Sequence, residues 1–130
     1  MPSAGDIKSV KVTMYKEDAW RAKEEINNMQ NFDLDDMIAW GGTFIGLAGL
    51  SISLASSIVA AAFGLTDMFA DDYLEAQEDF YEYVYREMTK ATNPALYAVI
   101  TQNYKYIVTG KGSGWILDGQ PKANYYFTDY

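Results

Sequence analysis

At 130 residues, with 49% hydrophobic and 15% aromatic residues, the chain holds enough apolar material for one folded core and too much for disorder. It has no cysteine and no histidine, which excludes disulfides, thiolate chemistry, histidine metal sites and a Ser-His nucleophile. The formal charge of −8 supplies no basic stripe for a phosphate backbone, so nucleic acid is not an expected partner.

Charge is unevenly spread: −3 over residues 1–36, none over 37–66, −6 over 67–92 and +1 over 93–130. Residues 1–6 show no basic stretch leading into an apolar run, so no cleavable secretion signal is expected there. A single domain over 1–130 is expected.

The β-branched residues of 7–15 predict a strand or extended arm. Over 17–30, the spacing of Ala19, Ala22, Ile26 and Met29, with Trp20 beside it, predicts an amphipathic helix. Asp33 is placed to cap the next helix, with Asp35 and Asp36 in its first turn, where carboxylates favour the positive end of the helix dipole.

Residues 37–66 contain no charged side chain, and the segment 34–66 reads as one apolar, small-residue-rich helix or as a helical hairpin. Drawn as one helix, it lines up Gly42, Gly46, Gly49, Ser53, Ser57, Ala60 and Gly64 on a small-residue stripe. Large apolar residues such as Phe44, Leu47, Ile58 and Phe63 occupy the other faces. The five glycines of the run cost about 1 kcal/mol each in a helix interior, a loss that close approach of a partner helix would offset. Thirty helical residues reach about 45 Å, enough for one tilted bilayer span and not for two. Acidic residues flank the run on both sides, so no positive-inside bias orients it in a membrane.

Over 67–92 a second amphipathic helix is predicted, with Phe69, Tyr73, Ala76, Phe80, Val84 and Met88 on its apolar face and a solvated acidic face opposite. Asn93-Pro94 ends it. Residues 96–130 predict a β-hairpin region, with turns at 110–114 and at Asp118-Gly119 and a last strand near Asn124.

Two chemical signals are outweighed by plainer readings. Gly110-Lys111-Gly112-Ser113-Gly114 lacks the spacing of a phosphate loop and opens no helix, so a hairpin turn is the better reading. Glu78 and Glu82 sit one helical turn apart, but carboxylate di-metal bundles also need histidine. No catalytic residue, cofactor or metal is expected. Tyr125, Tyr126 and Tyr130 form a candidate carboxyl-terminal interface, since tyrosine joins apolar area to a hydrogen-bonding tip.

The fold class is therefore expected to be α+β, mainly α, with a small antiparallel β region closing the chain. The expected function is a non-enzymatic structural or assembly protein, such as a virion, filament or secretion-apparatus subunit. It would form a homo-oligomer or larger assembly through its glycine-lined helix. The alternative is a membrane-inserting pore-forming toxin or lysis protein with the lipid bilayer as partner. A third class is an adaptor binding through the acidic helix.

Overall fold

The structure, a computed structural model, describes residues 2–29 and 31–127. It is an α+β fold with the order β1 (Ile7–Met14), α1 (Lys16–Asn27), α2 (Leu34–Leu47), α3 (Ser57–Ala62), α4 (Asp67–Thr89), β2 (Tyr97–Thr109), β3 (Gly112–Tyr126). The three strands form one antiparallel sheet, ordered β1-β2-β3, so the first strand closes against a hairpin almost ninety residues away.

Alternation along the strands selects the face that the helices cover. Val10, Val12 and Met14 of β1 and Ala98, Ile100, Gln102 and Tyr104 of β2 are buried and share that face. Against them pack Ala19, Ala22 and Ile26 of α1, Met37, Trp40 and Phe44 of α2, and Leu74, Tyr81 and Val84 of α4. Each of the last three helices has a side-chain cap: Asp33 accepts from Asp36 N–H, Ser56 from Val59 N–H and Thr66 from Phe69 N–H.

Of the two readings of the uncharged run, one long helix and a hairpin of shorter helices, the long helix is not formed. The run divides into the 14-residue α2, an extended segment, and the 6-residue α3. Glycine stops both helices. After α2, Gly49 has φ +72° and its N–H bonds to Gly46 O, while Leu50 N–H bonds to Ile45 O. After α3, Gly64 has φ +107°, with Gly64 N–H bonded to Ala61 O and Leu65 N–H to Ala60 O. Both are glycine helix stops of the Schellman kind, each followed by an apolar residue. Among the described residues no helix is long and apolar enough to cross a membrane.

Two further expectations are corrected. The buried face of α4 runs through Ala70, Tyr73, Leu74, Gln77, Tyr81, Val84 and Met88, while Phe69 and Ala76 are exposed. Asp118-Gly119 is not a turn between two strands but part of a bulge within the continuous β3. Residues 119–121 there stand opposite Gln102 alone, since Thr101 pairs with Lys122 and Asn103 with Asp118. Gly119 supplies a φ of +71°, and Pro121, lacking an N–H, sits where the ladder is interrupted.

Candidate interaction surface

The residues of the expected small-residue stripe lie in separate elements. Gly42 is in α2, where an added Cβ would meet Leu54 Cδ1 at 3.1 Å, and Ala60 is buried under α3. Ser57 opens α3 and is half-buried. Gly46 has open space around it, Gly49 and Gly64 are the helix stops, and Ser53 lies exposed in the extended segment. Gly41, off the stripe, is where α2 comes close to the sheet. A Cβ there would meet Leu117 Cγ at 3.2 Å, and the Gly41 carbonyl accepts from Tyr104 Oη at 2.6 Å.

Between the two helices, the extended segment attaches to the sheet beside β3. Trp115 N–H donates to Ser53 O and Ala55 N–H donates to Trp115 O, both at 2.9 Å. Leu54 and Trp115 thereby form a parallel bridge. The approach is close enough to require glycine at 114, because a Cβ there would lie 2.4 Å from Ala55 N.

Around these elements, large apolar side chains remain in solvent. Met68 is 77% exposed and Ile58 65%; Leu47, Leu50, Phe63 and Phe69 are also exposed. All six fall between residues 47 and 69, a stretch whose one charge is Asp67. Asp67 is itself occupied, its Oδ1 accepting from Leu34 N–H at 3.1 Å. Single exposed apolar residues are ordinary on protein surfaces; these six are close together in the sequence, and others, such as Ile7, Tyr83 and Leu96, are exposed elsewhere.

The polar interior is structural in character. Trp40 Nε1 donates to Gln77 Oε1 at 3.0 Å, and Gln77 Nε2 donates to Gln102 Oε1 at 3.0 Å. Gln102 Nε2 in turn donates to Asn103 O at 2.8 Å and to the bulge carbonyl of Gly119 at 3.1 Å. The Tyr73 hydroxyl donates to the same Gly119 carbonyl. This chain ties α2 to α4 and α4 to the sheet, and no sequence pattern signals it, because burial of a glutamine depends on partners distant in the chain. Burial pushes the hydroxyls of Tyr73, Tyr81 and Tyr104 above the ordinary tyrosine range.

Elsewhere, Gly110 and Lys111 form the hairpin turn, where Lys111 N–H donates to Thr109 Oγ1 at 3.1 Å. Glu82 pairs with Arg86 at 3.2 Å on the surface, and desolvation raises the Glu78 carboxyl. No group of three metal-ligating side chains occurs among the described residues. Tyr126 stacks on Tyr97 with ring centroids 4.9 Å apart, and Tyr125 is half-buried against the core. Tyr130 lies outside the described residues. A groove of about 270 Å³ runs between β1, α1 and α2, touching Val12, Thr13, Arg21, Ala22, Trp40 and Leu47.

No protein-family model, curated protein or solved structure matches this chain.

Proposed function

We propose that the chain is a non-enzymatic structural or assembly protein, a subunit of a filament or comparable assembly, that self-associates through residues 47–69. The observation that supports this reading is the set of exposed apolar side chains of that stretch: Leu47, Leu50, Ile58, Phe63, Met68 and Phe69. Burial stabilises by about 1.5–3 kcal/mol for each such side chain taken fully from water. Association itself costs about 4–15 kcal/mol, and these side chains are already partly covered, so the apolar surface alone gives weak, concentration-dependent assembly.

The test is sedimentation velocity on the wild type and on the triple variant Ile58→Ser, Phe63→Ser, Met68→Ser. The wild type is expected to sediment above the mass of one chain and the variant as a monomer with an unchanged circular dichroism spectrum. Equal sedimentation of the two contradicts the reading. A wild type that is monomeric alone but floats with phosphatidylcholine vesicles supports the bilayer alternative instead.

A further inference from the structure

We infer that the assembly is built head to tail by sheet extension, the free edge of β1 in one copy pairing with the extended segment 50–55 of the next. The inference rests on the assembly reading above. Both lateral edges of the sheet carry open backbone. At one side, Tyr106 N–H bonds to Asp6 O at 2.9 Å, which fixes the alternation of the ladder. Lys8, Val10, Val12 and Met14 then bond to β2, and the N–H and C=O groups of Ile7, Ser9, Lys11 and Thr13 point away from it. No helix or loop backbone among the described residues bonds to those outward groups. At the other side, Ser53 O and Ala55 N–H are used by Trp115, which turns the N–H and C=O of Leu54 outward, again without a backbone partner among the described residues.

Charge weighs against one of the pairings open to two copies. β1 carries Lys8 and Lys11 and no carboxylate from Ile7 to Met14, so pairing β1 with β1 brings four lysines along one seam. Segment 50–55 has no charge, and its apolar Leu50, Ile52 and Leu54 alternate with Ser51 and Ser53 as a strand requires. Joining β1 to 50–55 therefore sets no like charges against each other. Because the two edges differ, the contact is heterologous and leaves one free edge of each kind at the ends, which produces open filaments rather than closed dimers.

Proline at an outward position removes a donor that the monomer does not use, as edge strands tolerate. The experiment compares light scattering and negative-stain microscopy of the wild type, Lys11→Pro, Lys11→Gln and Leu54→Pro. Ile52→Pro replaces Leu54→Pro if circular dichroism shows that variant unfolded. Growing filaments are expected from the wild type and Lys11→Gln, and single chains from Lys11→Pro and Leu54→Pro. An equal mixture of the two proline variants retains one good edge of each kind and is expected to stop at twice the mass of one chain. Filaments from Lys11→Pro overturn the inference, and so do dimers of Leu54→Pro alone, which signify β1 pairing with β1. If Lys11→Pro assembles while the apolar triple variant does not, sheet extension fails and the proposed function stands. If the wild type is monomeric, both fail.

Discussion

The Ala55 backbone occupies the place where a side chain on Gly114 would project, with an added Cβ 2.4 Å from Ala55 N and 2.6 Å from Ala55 Cα. Backbone cannot swing aside as a flexible side chain does, so Gly114→Ala is expected to detach segment 53–55 from β3. A loss of about 2–3 kcal/mol, at the upper end of overpacking effects, should appear in chemical denaturation. Gly110→Ala, with open space around the position, is the control and is expected to change stability by less than about 0.5 kcal/mol.

The glutamine pair offers a second test. Gln77→Leu leaves the Trp40 indole N–H and the Gln102 Oε1 without their buried partners, and Gln102→Leu strands the Gln77 amide and takes from the Gly119 carbonyl one of its two donors. Each single change is expected to cost about 1–3 kcal/mol. The double variant should cost less than the two added, because both act on one network. Strict additivity in urea denaturation contradicts the coupling.

Buried hydroxyls differ in whether they are satisfied. Tyr81 Oη is buried with no hydrogen-bond partner among the described residues, whereas Tyr104 Oη donates to Gly41 O. Tyr81→Phe is expected to leave stability unchanged or raise it by about 1 kcal/mol, and Tyr104→Phe to lower it by about 1 kcal/mol. The same burial sets an alkaline limit. In the unfolded chain tyrosine ionises near pH 10, while the folded chain holds the protons of Tyr73, Tyr81 and Tyr104 to higher pH. Their stabilisation is complete below about pH 10 and falls above it by about 1.4 kcal/mol per pH unit for each. Tyr125, pushed up to about 12 by burial, adds a weaker contribution in the same direction. Denaturation at pH 9, 10 and 11 checks the sign; rising stability over that range contradicts it.

Much of the architecture was legible in local pattern. The periodicity of Ala19, Ala22 and Ile26 and the acidic face of 67–92 locate α1 and α4, and Asp33 caps α2 as its side chain suggests. The phase of α4 was not legible, because Phe80 and Tyr81 lie side by side and the choice of Tyr81 follows from Gln77 meeting Trp40 and Gln102 across the core. The separate roles of the glycines in the uncharged run were not legible for a related reason. Spacing alone does not separate a packing glycine from a helix stop, although the apolar residues Leu50 and Leu65 after Gly49 and Gly64 are the mark of a stop.

That distinction is measurable. Gly46 is exposed in α2 with open space around it, so Gly46→Ala is expected to raise the melting free energy of the folded chain by about 1 kcal/mol. Gly49 needs its left-handed conformation, so Gly49→Ala is expected to cost about 1–2 kcal/mol. Thermal melting in dilute solution compares them.

Self-association is tested most directly by the mass of the unmodified protein across a concentration series, read by multi-angle light scattering. Assembly through the exposed 47–69 stretch requires that mass to rise steadily with concentration above the 14.6 kDa of one chain. A mass that stays at 14.6 kDa from micromolar to millimolar concentration contradicts it.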